Sequence, residues 1–176
     1  MKGKVYGNEG MVVKGGSNSF GQVYFDANQP LGGNVLLRVS GEKTSAKSDI
    51  DVVDQDRYNI NPAITLTNNS TTSLTMQGKV SRWKQQEYQG LPAVGTIAGD
   101  FRLRRETFIG RASIPDSRAE FDGIWATLEH RLDDIWSFSV KARYAQSECD
   151  EKVQTLFGAD GFQANRAPPV SARQVV

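Results

Sequence analysis

The sequence holds one cysteine, Cys149, and one histidine, His130, among 176 residues. A single thiol excludes an internal disulfide framework and a Cys-rich zinc site, and a single imidazole removes most His-based catalysis and zinc chemistry. An excess of one charge is also missing. Twenty-one Lys and Arg stand against 20 Asp and Glu, which argues against a nucleic-acid partner. Mean hydropathy is −0.47, and no run approaches the roughly 20 apolar residues of a membrane helix. Residues 1–10 are polar and glycine-rich and do not read as a secretion leader. No segment repeats apolar residues at i, i+3, i+4 and i+7, so long amphipathic helices are not expected. Gly3, Gly7, Gly10, Gly15 and Gly16 are followed by no Gly-Lys-Ser/Thr element, which excludes a phosphate-binding loop. No Ser, His and Asp stand in a suggestive spacing, and the chain is read as not an enzyme.

What the chain does carry is period two. Val35, Leu37 and Val39 alternate with Asn34, Arg38 and Ser40, with Leu36 out of pattern. Tyr58, Ile60, Pro62, Ile64 and Leu66 alternate with Asn59, Asn61, Ala63 and Thr65. Leu74, Met76, Gly78 and Val80 alternate with Ser73, Thr75, Gln77, Lys79 and Ser81. Ile124, Ala126 and Leu128 alternate with Trp125, Thr127 and Glu129, and Phe138, Val140, Ala142 and Tyr144 with Ser139, Lys141 and Arg143. A weaker case is Val23, Phe25 and Ala27 against Gln22, Tyr24 and Asp26. Such alternation means strands with one apolar face. The expected strands are 20–27, 34–41, 57–67, 72–83, 122–132 and 135–146. Pro62 costs a ladder bond in its strand.

The connections alternate as well. Residues 28–33, 68–71 and 133–134 are short and rich in turn formers, whereas 42–56, 84–119 and 147 onward are long. A soluble sandwich has no reason to gather its long loops at one end, but outer-membrane barrels have short periplasmic turns and long outer loops. No helices are on offer to cover the apolar face, and the opposite face, with Arg38, Gln77, Lys79, Glu129, Lys141 and Arg143, is too charged for a dry core. The fold class is therefore all-β: an antiparallel up-and-down meander, part of a transmembrane β-barrel, of about six to eight strands. Residues 1–16 form an N-terminal segment with room for an extra strand. The barrel meander spans 17–147, with long outer loops at 42–56 and 84–119. Residues 148–176 are a loop and an unassigned tail, of which 165–176, with Pro168-Pro169, does not read as a strand.

The residues also resemble a family. Gly16-Ser17-Asn18-Ser19-Phe20, followed by Phe25-Asp26-Ala27-Asn28-Gln29-Pro30-Leu31, is similar to the first barrel strand and turn of TonB-dependent siderophore receptors. Val35–Gly41 and Thr72–Ser81 resemble strands of that barrel. Asp56-Arg57-Tyr58 with Asn61-Pro62-Ala63 resembles a strand opening, and Gln89-Gly90-Leu91-Pro92-Ala93-Val94-Gly95 a loop motif. Phe108-Ile109-Gly110 with Pro115-Asp116, then Leu128-Glu129-His130-Arg131 and Asp134-Ile135-Trp136-Ser137, match later elements in the family's order. The resemblance spans roughly residues 16–146. It implies a ~22-stranded, plugged barrel in the bacterial outer membrane. It also implies a ferric siderophore as transported ligand, no resident cofactor, and energy from TonB acting through a plug. No TonB box, plug or closing strand is recognisable, so the chain is expected to be an early barrel fragment. From the residues alone, two other readings stay open: a porin-like or small structural barrel without energy coupling, and a soluble all-β binding module.

Trp83 and Tyr88 flank the entry to the Gly90-Leu91-Pro92 loop. Trp83 has the parity of Gln77 and Lys79, so an aromatic there can stack on a planar iron-chelating group; the competing reading is an interfacial girdle aromatic. Both residues are candidate ligand contacts. Asp49, Asp51, Asp54 and Asp56 make an acidic cluster that lacks the Gly and distal Glu of a calcium loop; a solvated loop is the favoured reading, and no metal site is expected. Arg102, Arg104 and Arg105 offer forked donors to lipopolysaccharide phosphates or an anionic siderophore, again against a plain solvated loop. Trp136 and His130 read as rim residues at the short-turn end.

Overall fold

A computed structural model describes residues 8–156 and 170–175. Eight strands follow one another as β1 (Asn8–Gly15), β2 (Gly21–Gly32), β3 (Val35–Lys47), β4 (Asp54–Thr67), β5 (Thr72–Gln85), β6 (Ser117–Arg131), β7 (Ser137–Leu156) and β8 (Val170–Val175). They form one sheet in sequence order, and every neighbouring pair is antiparallel. Such a meander needs no crossover, because each strand pairs with the one just before it in sequence.

The register explains the alternation. Val35, Leu66, Leu74, Leu128 and Val140 stand opposite one another in one row, and Leu37, Ile64, Met76, Ala126 and Ala142 in the next. Side chains alternate along a strand, so these rows share a face with Ile60, Val80 and Ile124. The row between them is Leu36, Thr65, Thr75, Thr127 and Lys141, and the row beyond is Arg38, Ala63, Gln77, Trp125 and Arg143, both on the opposite face.

Among the described residues no hydrophobic side chain is buried. The apolar face is open: Met76 is 40% exposed, Ile124 57% and Val140 54%. An apolar face this wide would cost about 25 cal/mol for each Å² left in water, and soluble monomers do not leave such patches uncovered. Together with the polar opposite face, this makes a two-sided sheet, apolar on one side and polar on the other.

The strands are longer than the alternation indicates, mostly at one end. β3 runs on to Lys47 and β4 starts at Asp54, so the long loop expected at 42–56 contracts to residues 48–53. The loop expected at 84–119 is 86–116, and β2 extends through the turn expected at 28–33 to Gly32. Residues 42–47 and 147–156 carry charges on both faces and 54–56 holds two aspartates and no apolar residue, so hydropathy does not report them although their backbone ladder continues. The N-terminal segment contains β1. The tail expected to be non-strand contains β8, paired with residues 151–156; the remainder of that segment, 157–169, and residues 1–7 and 176 lie outside the described residues.

Pro62 behaves as its missing N–H requires. The β4–β5 ladder pairs Ile60 with Val80 and Ala63 with Gln77, and no pairing is made between them, yet the register is the same on both sides. Gly78 faces the proline ring: a Cβ there would lie 3.2 Å from Pro62 Cγ. Pro30 sits beside the one shift in β2–β3 pairing, between Pro30 and Gly32.

The turns at 33–34, 68–71 and 132–136 share the opposite end. Asn68 Oδ1 accepts the backbone N–H groups of Ser70, Thr71 and Thr72 at 3.0, 2.8 and 2.9 Å. Asn69, at φ 58°, donates to Gly33 O at 2.6 Å and so ties two turns together. Asp133 Oδ1 accepts from Ile135 and Trp136 N–H at 2.8 and 2.7 Å. These Asx contacts close the turns without help from a core.

Met76 lies in the middle of the apolar rows and Gln77 on the other face. In the complete barrel refolded into bilayers, Met76→Arg is expected to cost about 2–4 kcal/mol of stability, and Gln77→Arg far less. Urea titration of folded fraction checks this; equal costs would mean that the register is displaced by one residue.

Candidate functional site

The end bearing the longest loop holds both candidate ligand contacts. Trp83 stands near the loop end of β5, opposite Arg57 of β4 and Ala119 of β6. It shares the polar face with Gln77, Lys79 and Ser81, as its parity predicts. It borders an open groove of about 410 Å³. Most of that groove's lining, including Lys43, Tyr58, Arg82 and Lys84, belongs to the other face, where Arg82 pairs with Glu120 and Asp122 at 3.0 and 2.8 Å. Tyr88 lies in loop 86–116. Its ring is 6.1 Å from that of Phe108, and its hydroxyl donates to Thr107 O at 3.5 Å. Burial pushes its phenol above the ordinary pKa, so it stays a neutral donor at physiological pH. Tyr88 borders a separate crevice with Phe108, Gly110 and Gln154. The fold therefore does not bring Trp83 and Tyr88 into one pocket.

Loop 86–116 is held by its base. Gln86, Ser117 and Gln154 are buried. Gln154 Oε1 accepts the Arg111 N–H at 2.8 Å, and Ser117 Oγ accepts the Lys152 N–H at 2.8 Å. Higher up, Gly95 N–H donates to Ala98 O and Leu103 N–H to Gly95 O, both at 2.7 Å. Gly95 has φ +91°, and a Cβ there would come within 2.5 Å of the Phe101 ring, so only glycine fits this close approach.

The charged clusters are engaged with the loops themselves. Asp49 accepts from Asn18 Nδ2 at 2.7 Å and meets Arg105 at 3.6 Å. The Asp51 N–H donates to Glu106 O at 2.8 Å, joining loop 48–53 to loop 86–116. Arg102 donates to the Gly99 and Phe101 carbonyls at 3.0 Å each, and Arg104 meets Glu106 at 3.5 Å. Among the described residues no group of three or more His, Cys, Asp or Glu is placed to hold a metal ion. At the other rim, His130 Nδ1 is 2.7 Å from Thr72 Oγ1 and its ring packs 5.4 Å from Phe138.

Below Trp83, the cations expected on the polar face stand beside two rings, Phe121 and Trp125, that were not among the candidate ligand contacts. Lys79 Nζ lies 5.7 Å over the Phe121 ring, Arg143 lies 5.8 Å over the Trp125 ring, and Trp125 Nε1 donates to Gln77 Oε1. The available signal was the alternation itself, which sets Trp125 among polar residues.

No family model matches the chain. Curated relatives do. The metal-pseudopaline receptor CntO of Pseudomonas aeruginosa is 26% identical over 145 residues, 80% of this chain and 20% of that protein. The ferrioxamine receptor of Yersinia enterocolitica is 25% identical over 155 residues, 86% of this chain and 22% of that protein. The chain thus spans about a fifth of the length of these relatives. Among solved structures, the ferric-catecholate import receptor Fiu of E. coli, in its open form, superposes with a TM-score of 0.81 at 15% identity, covering 99% of this chain and 29% of that one. FpvA of P. aeruginosa, solved bound to heterologous pyoverdines, superposes with a TM-score of 0.75 at 18% identity over 94% of this chain and 22% of that one. The eight strands have the fold of a segment of these receptor barrels.

Replacing Gln154 with Leu removes the acceptor for the Arg111 N–H and the polar anchor of the loop. A buried donor left unpaired costs roughly 1–3 kcal/mol. The variant is expected to keep its barrel but to be cut faster by trypsin at Arg104 and Arg105; an unchanged cleavage rate would show that the loop does not depend on this anchor.

Proposed function

We propose that these strands are the early barrel segment of an outer-membrane receptor that takes up ferric siderophores with energy from TonB. The observation that carries this reading is the similarity to siderophore and metal-chelate receptors over most of the chain. The fold adds a physical reason: one face suits lipid, the other suits a hydrated lumen, and the longest described loop rises from one end. The transported ligand is a ferric siderophore rather than a resident cofactor. TonB acts through a plug contributed by residues other than these. The apolar face meets the bilayer, and the loop end meets lipopolysaccharide. Neither nucleic acid nor an enzymatic substrate enters this reading.

Trp83 and Tyr88 have separate roles within it. Trp83, on the polar face near the loop end, offers a ring to the ligand directly. Tyr88 acts from within the loop, where its contacts with Phe108 and Thr107 hold the segment that would close over a ligand. Aromatic stacking contributes roughly 0.5–1.5 kcal/mol beyond burial. Trp83→Ala in the complete receptor is therefore expected to weaken ligand binding by about two- to tenfold. Titration corrected for folded fraction checks this, and unchanged affinity with reduced yield would make Trp83 a girdle residue.

Orientation is tested separately. An epitope inserted beside Gly99, in loop 86–116, is expected to be labelled by antibody on intact cells. Labelling only after the outer membrane is opened would reverse the topology.

A further inference from the structure

Three connections at the loop end are tied in series. In the turn 16–20, between β1 and β2, Asn18 donates from Nδ2 to Asp49 Oδ1 at 2.7 Å, and the Asn18 carbonyl accepts the Lys47 N–H at 2.8 Å. Asp49 passes the tie on, with Oδ2 3.6 Å from Arg105. Two residues later the Asp51 N–H donates to Glu106 O at 2.8 Å. Loop 48–53 therefore stands between turn 16–20 and loop 86–116 and is bonded to both.

Backbone strain gathers at the same place. Among the described residues four that are not glycine have positive φ, Asn18, Ser19, Val52 and Asn69, and three of them lie in turn 16–20 and loop 48–53. The Phe20 N–H donates to Ser17 O at 3.1 Å, and the two residues between, Asn18 and Ser19, have φ 57° and 53°, the pattern of a type I′ turn. Asparagine tolerates that conformation. Valine does not. The Val53 N–H donates to Ile50 O at 3.3 Å, and Val52, the third residue of this turn, has φ 74°. That is the type II corner, which asks for glycine or asparagine, and a β-branched residue there is an outlier. The turn's own closing bond does not require it. A type I turn closes with the same bond and keeps its third residue at negative φ. The compensation therefore comes from outside the turn, from Asp49 with Asn18 and Arg105 and from Asp51 with Glu106.

The magnitudes make this contact reversible. The Asp49 and Arg105 side chains are 54% and 83% exposed, so their pair is weak and screened. The Asp51 to Glu106 bond carries most of the docking. What one such bond returns is of the same order as what a left-handed valine costs. Opposed contributions of similar size leave two states close in free energy.

We infer that loop 48–53 is a strained latch on loop 86–116. Docked, it holds Val52 left-handed and bonds Glu106. Released, Val52 relaxes to negative φ, and loop 86–116, which carries Tyr88, is free on this side. Asp49 joins the latch to turn 16–20, so the state of one connection biases the next. Strained residues gathered at a single contact are what such a two-state element needs. The device goes beyond the receptor function proposed above and needs no ligand to operate.

The test is amide hydrogen exchange on the complete barrel in bilayer discs, read at Asp51 and over residues 104–107, with the β4–β5 ladder amides as the folding control. Val52→Gly relieves the strain and is expected to slow exchange at Asp51 by about three- to tenfold. Val52→Asn acts in the same direction without the backbone freedom that glycine adds, and Val52→Ile changes nothing. Asn18→Gly keeps the left-handed turn and removes only the side-chain bond to Asp49. It is expected to speed exchange at Asp51 and over 104–107 by about two- to threefold. If a variant loses protection in the ladder, its partner at the other turn carries the test. Unchanged or faster exchange at Asp51 in both Val52→Gly and Val52→Asn would overturn the latch. So would an Asn18→Gly effect that stops short of residues 104–107, because the loops would then move independently.

Discussion

The structure depends on a single parity kept across consecutive antiparallel ladders. Leu37, Ile64, Met76, Ala126 and Ala142 stay in one row only because no pairing from β3 to β7 slips by an odd number of residues. A one-residue slip in any ladder would turn that strand's apolar set to the polar side and send Gln77 or Lys141 to the apolar side. With no hydrophobic core among the described residues, the usual source of fold specificity is absent. Backbone pairing and the sorting of apolar and polar side chains to opposite faces take its place.

That parity also separates two kinds of chemistry. One face is apolar through the middle rows and becomes charged toward the loop end, where Arg82 pairs with Glu120 and Asp122 and Lys84 with Asp116. The other face mixes amides, hydroxyls, cations and rings along its whole length. The loops add a third element: 48–53 and 86–116 are bonded to each other through Asp51 and Glu106.

Much of this was legible in the residues where lipid imposes a pattern. Strand 72–83 could be read because Leu74, Met76 and Val80 all fall on one face of the sheet. Where strands rise beyond that band the demand ends, and Glu42-Lys43-Thr44-Ser45-Ala46-Lys47 looks like a loop although it pairs residue by residue with β4. The acidic run from Asp49 to Asp56 looked like one cluster, yet β4 begins at Asp54 and carries its aspartates along a strand, while Asp49 turns toward Asn18 and Arg105. Trp83 was correctly set on the polar face by counting from Gln77. Its separation from Tyr88 could not be read, because the path of loop 86–116 depends on Gln154, a residue far along the chain.

The sequence by itself determined the strand count within narrow limits, the antiparallel order, which residues share a face and which end carries the longest loop. Period two against lipid is a local rule, and it writes itself into every strand that obeys it. Tertiary structure alone decided which rows meet across the ladders, where polar strands end, and which cations find carboxylates. Lys79 and Phe121, or Arg143 and Trp125, become neighbours only once the β5–β6–β7 register is set. That register comes from hydrogen bonds between strands joined by turns and one long loop, which no single segment encodes.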